Sequence, residues 1–382
     1  MNINKYLRNL GLLTIVPGMM LGGCASTPSD GSASSGAISI ASQGSFFVGG
    51  RQVSAAGAFD ATAAPNPPTA GQTYWVDQMY VQYQIPVNAR KYPLVFVHGG
   101  SGTGRVWETT PDGREGFQTI FLRRGFPVYI VDFPRRGRAG YPSFGGPFGQ
   151  LDAKQQIVAN RTGQAGREYA WSRWRLGPKY PDVFPVQAFP MSAVDSFLQH
   201  LVPTVSDDRE IISGALIKLL DKIGPAVLVT HSQSGLFGWL AGARSPHVKG
   251  IVSYEPGFVF KQGEVPPPIP LFKGTQPSGT PVTPAEFAKL ASVPLQVVYG
   301  DNIPKQPIPD LIADGRRAQV VTSVMFADAL NKQGAQGNNA SVLHLPDAGL
   351  RGNSHFMFSD LNNLQVADEL SKFLQAKGLD LR

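Results

Sequence analysis

Ala226-Val-Leu-Val-Thr-His-Ser232-Gln-Ser-Gly-Leu-Phe-Gly-Trp-Leu-Ala-Gly-Ala-Arg244 joins a strand pattern to a helix pattern through a single serine turn. Its first four residues are apolar, two of them β-branched valines, as in a strand buried on both faces. From Gln233 the pattern changes to that of a helix, with Gly235, Gly238, Ala241 and Gly242 leaving its early turns thin enough to lie close to neighbouring strands. Ser232 therefore stands on a sharp strand-to-helix turn, the setting that exposes a nucleophilic serine above a sheet. Such a turn brings the residues two before and two after the serine together, so both should be small. Ser234 is small; Thr230 is β-branched where the usual pattern has glycine.

Short Val/Ile/Tyr-rich runs alternate with helical stretches from Gly44 onward, the pattern of a mostly parallel sheet covered on both faces. Ser45–Val48 and Met79–Ile85 are expected to form an antiparallel edge. Pro93–Val97, Pro127–Val131, Ala226–Val229, Gly250–Tyr254, Leu295–Tyr299 and Ser341–Leu345 are the buried strands, making eight in all. Helices are expected at Gly116–Arg124, Met191–Leu201, Arg209–Ile223, Gln233–Arg244, Pro284–Ala291, Thr322–Gln333 and Asn363–Lys377. Two connections exceed what a crossover needs. Tyr141–Pro190 holds nine aromatic residues in fifty and is expected to be a lid, and Phe258–Thr283 is a second, Pro-rich insertion. Both would lie at the carboxyl edge of the sheet, where open α/β sheets bind ligands.

A serine hydroxyl needs a histidine base, and that base a carboxylate to orient it. Of the six histidines, His98 and His344 belong to strands, His231 to the turn, His200 to a helix end and His247 to a turn. His355 lies in the loop Gly349-Leu-Arg-Gly-Asn-Ser-His355 between the last strand and the last helix. Two carboxylates end suitable strands: Glu255 in Ser253-Tyr-Glu-Pro-Gly257 and Asp301 in Tyr299-Gly-Asp-Asn302. Glu255 is preferred because a buried strand and a Pro-Gly turn fix its direction, with Asp301 as the alternative. The loop His98-Gly-Gly-Ser-Gly-Thr-Gly104 has Arg105 where a dinucleotide fingerprint needs glycine, and Arg105-Val106 where a phosphate loop needs Lys then Ser or Thr.

These motifs and their order resemble the α/β-hydrolase superfamily from about Gly44 to the C-terminus. In particular, His231 to Gly235, Glu255 to Gly257 and the Gly-Asn-Ser-His loop ending at His355 resemble a group of secreted bacterial esterases with a His-Ser-Gln-Ser-Gly elbow and a Glu-Pro-Gly acid turn. The resemblance implies an α/β-hydrolase fold and acyl transfer to Ser232, with His355 as base and Glu255 as acid. It also implies an oxyanion hole from the backbone N–H groups of Gly100 and Gln233, with no metal or organic cofactor. Some relatives carry adjacent cysteines in the oxyanion loop; this chain has Gly100-Ser101 there. The expected substrate is a small carboxylic ester, aromatic or anionic. Lactone or amide hydrolysis by the same triad, or a non-catalytic surface binding protein of this fold, are the alternatives.

The rest of the chain bounds the setting. Hydrophobic residues make up 42% and charged residues 16% of 382, a globular composition. Lys5 and Arg8 precede an uncharged stretch ending in Leu21-Gly-Gly-Cys24, which resembles a bacterial lipobox. Residues 1–23 then read as a lipoprotein-type signal, Cys24 as the lipid attachment site, 24–43 as a flexible tether and 44–382 as the hydrolase domain. An exported protein, tethered to a membrane only through Cys24, follows. Cys24 is the sole cysteine, so no internal disulfide can form. The net charge of +7 falls to +5 without Lys5 and Arg8 (32 basic against 27 acidic), and no basic block interleaved with aromatics suggests nucleic-acid binding. Arg135-Arg-Gly-Arg138 is a candidate for binding a carboxylate or phosphate on the substrate, and Tyr169, Trp171 and Trp174 for lining its pocket.

Overall fold

Runs rich in β-branched and aromatic residues make the frame of the molecule, seen in a computed structural model that describes residues 36–62, 70–140, 163–204, 209–334 and 339–382 and the backbone of 150–151 and 157–158. Eight strands form one sheet: β1 Ile40–Ser54, β2 Thr73–Pro86, β3 Leu94–Val97, β4 Val128–Asp132, β5 Ala226–His231, β6 Val248–Tyr254, β7 Leu295–Tyr299 and β8 Ala340–His344. Their order is β1-β2-β4-β3-β5-β6-β7-β8. β2 runs antiparallel to both neighbours, β1 and β4, and every other pairing is parallel. Strands β3 to β7 are almost continuously buried, as the parallel part of a sheet covered on both faces must be.

Alternate side chains of the strands enter two separate cores. Val95 and Val97 join one with α4 (Arg209–Ile223), α5 (Ser234–Arg244) and α6 (Pro284–Ala291); Leu94 and Phe96 join the other with α1 (Phe117–Arg123) and α8 (Asn363–Ala376). Three further helices are α2 (Arg167–Arg173), α3 (Val194–Gln199) and α7 (Leu311–Gln333). α6 begins with a capping box, in which the Thr283 side chain accepts from Glu286 N while the Glu286 carboxylate accepts from Thr283 N.

Three expectations need correction or placing. β1 begins at Ile40, so the last residues assigned to the tether belong to the sheet, and the compact unit runs from Ile38 to Arg382. α7 begins at Leu311 rather than Thr322, because Asp310 caps it by accepting from Ile312 N and Ala313 N. Gly315 and the β-branched pair Val320-Val321 weaken that first half as a helix pattern. The expected signal, Cys24 and most of the tether lie outside the described residues, as do 141–149, 152–156 and 159–162 of the expected lid.

Candidate active site

The turn after β5 is built by its own sequence. Ser232 has φ +54°, a left-handed conformation that costs a non-glycine residue energy and persists where surrounding bonds over-determine it. Here Ser232 N donates to Tyr254 O at 2.7 Å and Gly235 N donates to Ser232 O at 3.1 Å. The Ser234 hydroxyl donates to Val97 O at 2.9 Å and accepts from His231 N at 2.8 Å, tying β3, β5 and the turn together. Thr230 fits despite its branch. Its methyl faces Gly238, where a Cβ would come within 2.8 Å, and its hydroxyl donates to Ser253 Oγ at 2.6 Å.

The strand register brings the acid beside the serine. His231 pairs with Tyr254, so residues 232 and 255 leave adjacent strands at the same level. Glu255 also has positive φ, +49°, and is 1% exposed. Its Oε2 accepts from His355 Nδ1 at 2.6 Å and from Arg175 Nη1 at 2.8 Å; its Oε1 accepts from Gly300 N at 3.1 Å and from Arg175 Nη2. Four donors on one buried carboxylate fix both its charge and its direction.

Asp301 follows the next strand but is turned elsewhere. Its carboxylate accepts from Asn302 N and Gly352 N, both at 2.8 Å, and its N–H donates to Asn353 O at 2.8 Å. It shapes the loop that carries His355 without touching the ring. Gly300 permits this approach, since a Cβ there would lie 2.6 Å from Asn353 O.

His355 is held from several sides. Its N–H donates to Trp174 O at 2.9 Å, and its carbonyl accepts from His231 Nε2 at 3.0 Å. Asp360, fully buried, accepts from Ser354 N, the Ser354 hydroxyl and Asn353 Nδ2, closing the loop beneath it. With Nδ1 donating to Glu255, Nε2 carries the lone pair and faces Arg316 Nη2 at 3.3 Å.

Residues 94–368 match the profile described as the alpha/beta hydrolase family, which is more than half of the chain. The chain belongs to the alpha/beta hydrolase family. A solved structure described as a novel bacterial esterase is 35% identical, with a TM-score of 0.71 over 90% of this chain and 98% of that one. A probable secreted lipase of Fungal sp. (strain ATCC 74256) is 30% identical over 325 residues, 78% of this chain and 85% of the relative. The eight-stranded, mostly parallel sheet is the sheet of this hydrolase fold, as its sequence predicts.

The electrostatics of the candidate site separate its ionisable groups. Burial opposes ionisation of Glu255, but Arg175 and His355 outweigh it and hold the carboxyl well below the usual range. Burial, then Arg316 and His231, push His355 well below the ordinary imidazole value, with Glu255 opposing them. The result at neutral pH is a carboxylate beside a neutral imidazole. His231 is lowered to about 3 and His98 to about 3, both chiefly by burial, so neither competes for a proton.

The glycine-rich loop is anchored beneath the same edge. His98 Nε2 accepts from Phe133 N at 3.2 Å, and Asp132 Oδ1 accepts from Gly104 N at 2.6 Å. Gly100 sits against Gln233: a Cβ there would be 3.4 Å from Gln233 Oε1. A cavity of about 280 Å³ lined by Thr103, Arg105, Ser196, Gln199 and His200 opens beside this loop.

Other candidates find different work. Arg135 pairs with Asp77 at 2.6 Å and Arg138 with Asp132 at 2.8 Å, while Arg136 is buried beside Gly99 O and Gln233 Oε1. Each guanidinium of the cluster thus has partners within the protein. Trp171 and Trp174 are buried, Trp171 Nε1 donating to Asp182 O and Trp174 meeting Phe197 and Phe356 edge-on, so both pack this segment onto the core. Tyr169 is 52% exposed. Arg175, Arg316 and Asp360 also surround His355 and its loop, and the sequence pattern does not reveal them. Arg175 lay in the expected lid and Arg316 in the unrecognised half of α7. A Ser-His-Phe run followed by an acid was the one legible hint of Asp360.

Among the described residues, no cluster of His, Cys, Asp or Glu is placed to hold a metal ion, and no helix is long and apolar enough to cross a membrane.

Proposed function

We propose that the protein is a serine esterase that cleaves carboxylic esters through an acyl-enzyme on Ser232. The observation that carries this reading is the 2.6 Å bond from His355 Nδ1 to the buried Glu255 carboxylate, in a loop touched by His231, the residue before Ser232. Ser232 Oγ attacks the ester carbonyl as its proton passes to His355 Nε2. Glu255 keeps Nδ1 protonated and stabilises the imidazolium that forms. The backbone N–H groups of Gly100 and Gln233 receive the oxyanion, aided by the positive end of α5. His355 then protonates the leaving alcohol, and water, activated by the same base, releases the acid.

The bacterial esterase and the probable secreted lipase support ester cleavage as the reaction class. The latter also supports export, for which residues 1–23 supply the signal, Cys24 the lipid anchor, and the segment before Ile38 the tether. Residues 163–190 act as part of the site's cover as well as its scaffold, because they bring Arg175 and Trp174 to the triad.

Assay of a small chromogenic ester tests the proposal. Wild-type protein should hydrolyse it, and Ser232→Ala should lower kcat by about 10³-fold or more with the fold unchanged. Full activity in Ser232→Ala would remove Ser232 from the mechanism.

A further inference from the structure

Arg316 is a cation that the triad does not account for. It is 2% exposed, on α7, and its Nη2 lies 3.3 Å from His355 Nε2, the nitrogen that handles the proton in the proposed reaction. Nη1 donates to Gln319 Oε1 at 2.8 Å and Nη2 also reaches Arg173 O at 3.4 Å; Nε is buried with no partner among the described residues. No carboxylate of the described residues forms an ion pair with it. Glu255 is committed to Arg175, Gly300 and His355, Asp360 to Asn353 and Ser354, and Asp314 to Arg317 and Phe272 N. Arg316 is thus a buried guanidinium with no carboxylate of its own in a low-dielectric place, an arrangement that is unfavourable until an anion joins it.

We propose that Arg316 is an anion-binding, specificity-determining residue of the active site, selecting esters whose alcohol portion carries a carboxylate. This rests on the esterase reading. The side of the substrate follows from chemistry: His355 Nε2 is the atom that returns the proton to the leaving alcohol, so a guanidinium 3.3 Å from it lies beside the leaving group. A carboxylate a few bonds from the scissile oxygen would meet a planar fork of donors suited to it. After cleavage the released hydroxy acid would keep that contact, so it should inhibit competitively.

The experiment compares 3-acetoxybenzoate with its neutral isostere 3-acetoxybenzamide, in wild-type, Arg316→Gln and Arg316→Lys protein, and measures binding of 3-hydroxybenzoate to Ser232→Ala and Ser232→Ala/Arg316→Gln protein by calorimetry. Wild type should favour the carboxylate ester by about 10- to 100-fold in kcat/KM, mostly through KM, as expected for a charge-assisted contact. Arg316→Gln should bring the ratio of the two esters close to one, Arg316→Lys should keep part of it, and the hydroxy acid should bind only while Arg316 is present. Equal losses on both esters in Arg316→Gln, or an unchanged ratio, would overturn the inference and leave the esterase reading intact. Arg316-dependent binding without hydrolysis of either ester or of a simple acetate would do the reverse.

Discussion

The turn that carries Ser232 is made from consecutive residues of one strand and one helix, whereas the group around His355 is assembled from Arg175, Glu255, Arg316 and His355, four segments far apart in sequence. The first is held by backbone hydrogen bonds and close packing, Ser232 N on Tyr254 O and Thr230 against Gly238. The second is held by charge, with a carboxylate, two guanidiniums and an imidazole all buried. Damage to the elbow is therefore a packing fault that neighbours can partly absorb. Damage to the base side strands a charge, for which a dry interior has no remedy.

The sharpest way to break this contrast is to change the acid. Glu255→Gln keeps the shape but removes the charge that sets the His355 tautomer, and kcat should fall by about 10³- to 10⁴-fold. Asp301→Asn should cost far less, because Asp301 touches the loop and not the ring. The opposite ranking in steady-state assays would move the acid to Asp301.

Arg175→Met comes next. It leaves Glu255 buried without its bidentate partner, and urea unfolding should register a loss of about 3–5 kcal/mol alongside reduced activity. A variant within experimental error of wild type would show that the pair does not hold the base side together.

The smallest effect belongs to the elbow. Gly238→Val drives a branched side chain into Thr230 and should destabilise by about 1–3 kcal/mol. Adding Thr230→Ala should recover part of that loss, so the two changes should not be additive. Additive losses would separate the two residues and with them the explanation for threonine at this position.

The same contrast decides what could be read in advance. The sheet, the elbow, the Glu-Pro-Gly turn and the His355 loop were legible because each is a local pattern: a buried run, a tight turn, a small-residue face. The fixed direction of the Glu255 side chain was legible in its flanking residues; the engagement of Asp301 with Gly352 was not, since it depends on how two loops meet. Arg175 and Arg316 were invisible for the same reason. An arginine in an aromatic-rich connection or on a helix looks like solvated surface until the fold buries it beside a carboxylate or a histidine. Thr230 looked like a flaw in the elbow, and is explained by a glycine eight residues on that receives its methyl.

In the proposed reaction Ser232 is the nucleophile, activated by His355 and Glu255. The most direct test is reaction of the folded protein with a fluorophosphonate, followed by mass analysis of the intact chain and its peptides. One adduct per chain is expected, located on Ser232, absent from Ser232→Ala and formed much more slowly in Glu255→Gln. No adduct on the folded wild-type protein, or an adduct on another residue that survives in Ser232→Ala, would contradict it.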